Sequence, residues 1–205
     1  MISNEARWFY EGYLPSSIEK LKNSMFHSRA EIRSDYYLLT KGCDDIGIKL
    51  REGRLEIKWR KSKVLFSISK LNITGKVEQW IRWGWNDDNS DRNINLFESE
   101  GINQWIKVEK NRSQKKFYIQ NTSFVEIPYD SYHYDCAMEI TEIKINENLW
   151  WSLGFDLLAK DKDISFLRQF IEWQLGNQFH LKLNTESSYG YPEWLSKVSN
   201  LLKTK

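Results

Sequence analysis

The chain of 205 residues is long enough for one domain with a sizeable core. Its 30 Lys and Arg residues against 28 Asp and Glu leave a formal net charge of +2, which argues against a protein that binds nucleic acid through bulk positive charge. Ten Trp, ten Tyr and ten Phe, with only three Pro, favour pleated strands filled by large side chains.

The sequence supports neither a membrane-spanning protein nor a secreted protein stabilised by disulfides. No stretch approaches ~18 uncharged apolar residues, and the N-terminal MISNEARWFYEG lacks the basic start and apolar run of a signal peptide. The two cysteines, Cys43 and Cys136, are fewer than a secreted protein stabilised by disulfides usually carries, although a single bridge between them stays open. We therefore expect a cytoplasmic protein without a membrane span.

The first third of the chain predicts a strand, a helix and a hairpin. A strand is expected in EARWFYEGY, and a short helix follows in LPSSIEKLKNSM, where Ser16 and Glu19 have the spacing of a capping box. RSDYYLLT predicts the next strand. Residues 47–61, GIKLREGRLEIKWRK, alternate charged and apolar side chains and contain Glu52-Gly53, the kind of two-residue connection that hairpins prefer. That turn would pair Lys49 with Glu56.

The middle of the chain predicts further strands. They lie in KVLFSISKLN, GKVEQWIRWGW, CAMEITEIKI and NLWWSLGFDLLAK. A second hairpin is expected between QWIKVEKN and KKFYIQN, with its turn at Asn111 to Gln114. The Asn- and Asp-rich segment NDDNSDRNIN predicts a loop.

The period changes to a helical one in the last 45 residues. DKDISFLRQFIEWQL offers Asp163 as an N-cap, and YPEWLSKVSNLLK carries Pro192 in its first turn. The whole predicts a single α+β domain over residues 1–205, strand-rich over 5–160 and helical over 161–205. We expect a curved or closed antiparallel barrel of about eight strands with helices packed outside it.

The charged face of the first hairpin allows two interpretations. It gathers five cations and one carboxylate, Glu56. It is either the solvated side of a half-buried ribbon, or the wall of a site that holds an anion, since like charges on one face repel without a counter-charge. The usual signatures of nucleophilic hydrolases, nucleotide kinases and zinc sites are missing from the sequence.

The hairpin resembles the paired basic strands of the CYTH, or triphosphate tunnel, enzymes. An opening strand with Glu5, the LPSSIEKL helix, the strand VEQWIRW and the late pair MEITEI and WWSLGFD follow in the same order, over roughly residues 5 to 160. This resemblance implies a barrel whose charged lumen holds a triphosphate with Lys and Arg and a divalent metal with carboxylates. Converging cations and hard oxygen ligands suit those two tasks.

The resemblance also implies site residues. The phosphate-binding candidates are cations, namely Lys49, Arg51, Arg54, Lys58, Arg60 and Arg82. The metal candidates are carboxylates, namely Glu56, Glu78, Glu139 and Asp156, with Mg²⁺ or Mn²⁺ as the cofactor if the protein is an enzyme. The departure lies in the opening strand, where the Glu-x-Glu-x-Lys signature of the family is replaced by Glu5, Arg7 and Phe9.

Three functions are compatible with this sequence. The first is a CYTH-like barrel that binds a phosphate-rich anion, with or without metal-dependent hydrolysis of a triphosphate. The second is a non-catalytic interaction or assembly module that meets a protein partner through exposed aromatic side chains. The third, a small-ligand barrel with an apolar lumen, requires the face of Ile48, Leu50, Ile57 and Trp59 to point inward.

Overall fold

Nine strands and three helices are present in the computed structural model, which describes residues 1–26, 30–40, 42–86, 105–158, 163–176 and 181–202. The strands are β1 Ile2–Glu11, β2 Glu31–Leu38, β3 Ile46–Arg51, β4 Arg54–Ile68, β5 Ile73–Asn86, β6 Trp105–Gln120, β7 Ser123–Ile127, β8 Cys136–Ile145 and β9 Asn148–Leu157. The helices are α1 Ser16–Met25, α2 Ile164–Leu175 and α3 Tyr191–Leu202.

Eight of the strands form a closed antiparallel barrel. Their order is β2-β3-β4-β5-β1-β9-β8-β6, and β6 pairs back onto β2 from Glu31–Arg112 to Leu38–Trp105. The short β7 pairs with the far end of β6, beyond the closure. The predicted α+β class and the barrel of about eight strands are confirmed.

The β3–β4 hairpin has the predicted register. Lys49 lies opposite Glu56, and Arg51 lies opposite Arg54. The backbone is left-handed at both connecting residues, with φ of 47° at Glu52 and 73° at Gly53. Two consecutive positive φ values match the twist of the paired strands, and this is why a Gly at the second position favours the turn.

The second predicted hairpin is wrong, because β6 is one continuous strand. Arg112 pairs with Thr141 and Gln114 with Glu139, so the residues expected to turn lie in the middle of the sheet. The segment is polar because alternate side chains face the polar interior of the barrel. Likewise β4 runs on through Lys63 with an irregularity between Arg60 and Ser62.

The two helix starts behave differently. Asp163 caps α2 as predicted, since its carboxylate accepts a hydrogen bond of 2.8 Å from the Ser165 amide. The predicted capping box of α1 does not form, because Ser16 is already helical and the N-cap position is held by Pro15.

Two hydrophobic clusters organise the molecule. The first, which we call the outer core, lies between the outer faces of β1, β8 and β9 and the helices α1 and α2; it includes Trp8, Ile18, Phe117, Met138, Ile140, Leu153, Phe155, Leu167 and Phe170. The second, the end core, joins α3 to side chains that continue the inward-facing series of the strands; it consists of Phe9, Tyr37, Val108, Ile143, Ile145, Trp194, Leu195 and Val198.

The position of α3 corrects the expectation that the helices pack outside the barrel. Trp194 is 1% exposed and stacks on Phe9, with ring centroids 4.4 Å apart. The helix therefore closes one end of the barrel, where it packs on inward-facing side chains of the strands. It also explains the aromatic ring of Phe9, which packs on the helix.

The sequence expectations for the cysteines, a membrane span and the polar loop can be compared with the structure. Cys43 and Cys136 are both free thiols. Within the described residues, no helix is long and apolar enough to cross a membrane. The predicted polar loop at residues 86–95 lies, apart from its first residue, outside the described residues.

Candidate functional site: a cationic tunnel inside the barrel

The barrel encloses a polar cavity, which we call the tunnel. Its free volume is about 140 Å³, room for several water molecules or a small anion. Lys49 and Arg51 on β3 and Lys58 on β4 line it, so the charged face of the first hairpin points inward as the anion-site interpretation required. Residues two apart on a strand project to the same side, and this is how alternation in the sequence becomes one wall of the tunnel.

Positive charge exceeds negative charge on the described tunnel wall. Four carboxylates line it, Glu5, Glu56, Glu139 and Asp156, and eight cations face them, Arg7, Arg33, Lys49, Arg51, Lys58, Arg82, Lys110 and Arg112. A fifth carboxylate, that of the fully buried Asp35, stands behind the cations of β3 and β6. Three of these carboxylates, Asp35, Glu56 and Glu139, are each shared between cations.

Asp35 is shared most widely. Its oxygens lie 2.6 Å from Arg51 Nε, 2.8 Å from Lys110 Nζ and 3.5 Å from Arg33 Nε. Burial opposes the charge of Asp35, but Lys110 and Arg51 outweigh it and hold the pKa of that carboxyl well below its usual range. Asp35 is thus a buried anion that fixes three cations around it.

Glu56 is shared by two cations. Lys49 Nζ lies 2.9 Å from its carboxylate and Arg82 Nη1 lies 3.6 Å away. Against the opposing effect of burial, Lys49 and Lys58 lower the pKa of Glu56 to about 2. Burial and the neighbouring Arg51 in turn lower the pKa of Lys49 to about 7.

Lys110 is the second lysine with a depressed pKa. Burial lowers the pKa of Lys110 to about 7 even though Asp35 favours the charged form. Its ammonium lies 3.9 Å from the ring centre of Tyr191, the first residue of α3, and 2.7 Å from the Tyr37 hydroxyl. An excess of nearby positive charge and loss of water both act in this direction.

The remaining carboxylates lie on β1, β8 and β9. Glu5 accepts hydrogen bonds from Lys58 Nζ at 2.8 Å and from the Ser3 hydroxyl at 2.6 Å. Glu139 is bound by Arg7 Nη1 at 2.5 Å and by Arg112 Nη1 at 3.4 Å. Asp156 differs from both, because its buried Oδ1 has no hydrogen-bond partner.

The environment of Asp156 favours the neutral acid. Burial raises the pKa of Asp156 to about 7, and the nearby Glu5 and Glu139 add to the effect. The strands place Asp156 directly opposite Glu5. At neutral pH this carboxyl is therefore partly protonated.

The structure brings some predicted residues to the tunnel wall and leaves others aside. Lys49, Arg51, Lys58, Arg82, Glu56, Glu139 and Asp156 all line the tunnel. Arg54 lies at the hairpin tip, where it borders a second cavity that shares Lys49, Arg51, Glu56 and Arg82 with the tunnel and opens towards Glu31. We call this second cavity the vestibule.

Arg60 and Glu78 lie beyond the described tunnel wall. The Arg60 guanidinium binds Glu78 at 2.8 Å, contacts Asp45 and lies over the Trp80 ring. Glu193, in the first turn of α3, approaches the same network through Lys63 at 2.8 Å. These two predicted site residues therefore hold the end-closing helix against the barrel.

Sequence reasoning missed part of the site. Arg33, Lys110, Arg112, Tyr134 and Tyr191 line the tunnel and were not candidates. A signal existed, because Val108, Lys110, Arg112 and Gln114 keep a period of two across the segment that was predicted to turn.

The apolar-lumen interpretation is wrong. Ile48, Ile57 and Trp59 are absent from the tunnel wall, and Trp59 is 43% exposed on the outer face of the barrel. There Ile46 pairs with Trp59 and Ile57 pairs with Trp83, which is 52% exposed. We call this set of outward apolar side chains on β3, β4 and β5 the outer patch.

The described carboxylates fit a divalent metal poorly. No three His, Cys, Asp or Glu side chains among the described residues are arranged to hold a metal ion. Mg²⁺ and Mn²⁺ need carboxylate oxygens that are free to coordinate. Glu5, Glu56 and Glu139 instead bind Lys or Arg side chains, whereas Asp156 keeps a buried oxygen without a hydrogen-bond partner.

Comparisons with known proteins bear on the fold. No protein-family model and no curated protein match the chain. Solved structures do. The HpAC1 protein of Hippeastrum, named for adenylyl cyclase and described as having a dominant triphosphatase activity, is 10% identical and aligns over 97% of this chain and 95% of its own, with a TM-score of 0.51.

Two further structures are similar at lower TM-scores. The PH1819 protein of Pyrococcus horikoshii OT3 is 17% identical over 99% of both chains, with a TM-score of 0.46. The RNA triphosphatase domain of a trifunctional mimivirus mRNA capping enzyme is 12% identical over 84% of this chain and 87% of its own, with a TM-score of 0.42. Together with the closed eight-stranded barrel, the likeness to HpAC1 shows that the chain has the CYTH-like fold.

Proposed function

We propose that this protein binds a compact, phosphate-rich anion inside its barrel. The observation that carries the proposal is the convergence of eight cationic side chains on one cavity whose wall supplies only four carboxylates. A polyphosphate presents several negative charges at close spacing, and converging Lys and Arg side chains can match them with charge-assisted hydrogen bonds.

Several of these cations already have carboxylate partners. Lys49, Arg51 and Lys58 each have a carboxylate partner, so the tunnel does not hold isolated charges that demand an anion. Asp35, Glu56 and Glu139, however, are each shared by two or three cations, and burial among these cations lowers the pKa of Lys49 and of Lys110 to about 7. An anion in the cavity would relieve that excess.

The shape of the site sets the direction of entry. Tyr191 and Pro192 of α3 form part of the tunnel wall, and the end core closes that end. The vestibule adjoins the tunnel at the other side, next to the hairpin tip. A linear anion would therefore enter past Arg82 and Arg54 and place its leading phosphate near Lys58.

Hydrolysis would be a further step beyond binding. The described carboxylates offer a metal only Asp156 without a competing cation, so binding is better supported than metal-dependent catalysis. Phosphate release from tripolyphosphate in the presence of Mn²⁺ is the assay that would add an enzymatic activity.

A second candidate function is a protein-interaction module. The observation in its favour is the outer patch, where Trp59 and Trp83 keep about half of their surface exposed. Large exposed apolar patches mark interaction sites more often than isolated apolar residues do. This function requires no anion in the tunnel.

The proposed function is tested by calorimetric titration of inorganic tripolyphosphate into the protein. Lys58→Ala removes a tunnel cation whose partner Glu5 keeps its bond from Ser3. One charge-assisted hydrogen bond is worth about 1.5 to 3 kcal/mol, so affinity should fall about 10- to 100-fold. Lys61→Ala, which removes an exposed lysine of the same strand, is the matched control and should bind like the wild type.

Two results would contradict the proposal. In the first, the wild type would show no saturable heat with tripolyphosphate, which would favour the interaction module. In the second, Lys58→Ala and Lys61→Ala would lose affinity equally, which would place binding on the surface rather than in the tunnel. Circular dichroism of both variants establishes that the fold is intact.

A further inference from the structure

Arg7 occupies a position where the resembling enzymes carry a carboxylate. It lies on β1 between Glu5 and Phe9, on the inward-facing side, and its side chain is 8% exposed. A guanidinium at this depth is costly unless it is paired and hydrogen-bonded. The residues around Arg7 supply both a partner carboxylate and hydrogen bonds.

Three neighbouring strands are arranged around this side chain. Gly154 on β9 lies opposite Arg7 on one side and opposite Glu139 of β8 on the other. A Cβ at position 154 would lie 2.6 Å from the guanidinium carbon of Arg7. The missing side chain is therefore what lets Arg7 reach across β9 and bind a carboxylate two strands away.

The guanidinium of Arg7 contacts a carboxylate, a hydroxyl and an aromatic ring. Arg7 Nη1 lies 2.5 Å from Glu139 Oε1 and 3.2 Å from the Ser152 hydroxyl, and the guanidinium lies 5.2 Å from the centre of the Tyr191 ring. Glu139 also receives Arg112 on its other oxygen. The carboxylate is thus held by two guanidinium groups.

The neighbouring carboxylates complete the picture. Glu5 is held by Lys58 and Ser3, and Asp156 keeps one buried oxygen without a partner. A divalent ion entering here would have to displace Arg7 from Glu139 or share Glu5 with Lys58, and would find its other ligands in Asp156 and the oxygens of the anion. The positive charges of the ion and of Arg7 would repel each other strongly beside Glu139, because the site is poorly solvated.

We propose that Arg7 takes the place of a divalent metal ion in this tunnel. Its guanidinium is the resident cation between β1 and β8, and the phosphate-rich anion binds without a metal. A planar guanidinium offers several donors to phosphate oxygens, so it can supply the positive charge that a metal supplies elsewhere. The part of this inference that concerns the anion rests on the proposed function; the part that concerns the metal does not.

The metal part is tested without any anion. Mn²⁺ is titrated into the wild type, Arg7→Glu and Arg7→Gln, and free Mn²⁺ is followed by electron paramagnetic resonance. Arg7→Glu would place a carboxylate beside Glu5 and Glu139 and should bind Mn²⁺ at least about tenfold more tightly than the wild type. Arg7→Gln removes the cation without adding a ligand, so it should gain much less.

Three results would overturn the metal part. One is saturable binding of Mn²⁺ by the wild type at micromolar concentration. Another is an equal gain in Arg7→Gln and Arg7→Glu. The third is a folded Arg7→Glu, checked by circular dichroism, that gains nothing. If that variant does not fold, the wild-type titration alone still decides between a resident guanidinium and a metal site.

The anion part is tested with tripolyphosphate in EDTA and in excess Mg²⁺. Because Mg²⁺ complexes tripolyphosphate in solution, a metal-free tunnel should bind it more weakly when Mg²⁺ is present. Tighter binding in Mg²⁺ would overturn the inference. Absence of binding in both buffers would instead contradict the proposed function, and the Mn²⁺ titration would still report on Arg7.

Discussion

Lys49 and Lys110 are the residues on which the excess charge of the tunnel acts most directly. Both are inward-facing lysines with a carboxylate within 3 Å, and yet burial lowers the pKa of each to about 7. Lysines with a single carboxylate partner and good solvation would not behave in this way. Both side chains can therefore gain a proton when negative charge enters.

This behaviour predicts that anion affinity rises as the pH falls. Above a pH of about 7 the two lysines lose their protons and attract an anion less; below it they are charged, and Asp156, whose pKa is also about 7, becomes neutral. Sulfate is a suitable probe because its own charge is constant over this range. We expect it to bind about three- to tenfold more tightly at pH 6 than at pH 8, measured by thermal shift or by nuclear magnetic resonance.

Replacing one lysine tests the origin of that pH dependence. Lys49→Arg keeps the charge at every pH of interest, so its sulfate affinity should change less with pH than that of the wild type. Lys61→Arg, at an exposed position, should leave the profile unchanged. A wild-type profile in Lys49→Arg would assign the titration to other groups.

At the same scale, sequence alone identified part of the tunnel. Lys49, Arg51 and Lys58 were predictable because the turn at Glu52-Gly53 fixes the register of an alternating pattern. Lys49 has its partner Glu56 within the hairpin, but the partners of Arg51 and Lys58 lie on other strands, as Glu5 does for Lys58 over a separation of 53 residues. Nothing local in the sequence reveals such a partner.

The strands and helices show where local patterns succeed and fail. The hairpin of β3 and β4 was predicted to the residue pair, whereas β6 was divided in two because Asn111 to Gln114 look like a turn. A polar run normally indicates exposed chain, but inside a barrel with a charged lumen it is an inner wall. The alternation of side chains with a period of two predicts the continuous strand correctly, whereas the polarity of the segment does not.

The helix α3 shows a second kind of failure. Its apolar stripe was recognised, but a stripe does not state what it packs against. Here it meets Phe9, Tyr37 and Val108 at the end of the barrel rather than an outer sheet face. This packing accounts for an aromatic side chain at Phe9 on the inward-facing series of β1.

The end core predicts a large cost for removing Trp194. This side chain is 1% exposed, stacks on Phe9 and meets Trp150 and Tyr191 edge to face. Trp194→Ala should lower the free energy of unfolding by about 3 to 5 kcal/mol in urea denaturation. Trp194→Phe should cost clearly less, because it keeps a ring on Phe9 and removes an indole N–H that is buried without a partner. Equal losses in the two variants would show that the stacking contributes little.

On the scale of the whole molecule, the charge distribution matters more than the net charge. The chain as a whole carries +2, while the described tunnel wall has twice as many cations as carboxylates. Negative charge is therefore concentrated elsewhere, and the interior of the barrel is a site of unfavourable repulsion when no anion is present. Composition could exclude a bulk polyanion binder but could not reveal a cationic interior, since only barrel closure separates the two environments.

This arrangement predicts that tripolyphosphate raises the melting temperature beyond the effect of ionic strength. A ligand that binds only the folded state adds about 2.7 kcal/mol to the free energy of unfolding when its concentration is one hundred times its dissociation constant. For a domain of about 200 residues that corresponds to a rise of roughly 5 to 10 °C. The measurement is differential scanning calorimetry against NaCl at equal ionic strength, which screens exposed charges but makes no specific contacts in the tunnel.

The Lys58→Ala variant separates the tunnel from the surface in this experiment. Loss of Lys58 also breaks its ion pair with Glu5, so each protein is compared with its own unliganded melting temperature. The gain of the variant from tripolyphosphate should shrink by several degrees at the same concentration. A general stabilisation by anions at the surface would act on both proteins alike. If the variant and the wild type shift equally, or if NaCl reproduces the whole effect, the interior of the barrel is not where the anion binds, and the positive charge gathered there serves the packing of the barrel alone.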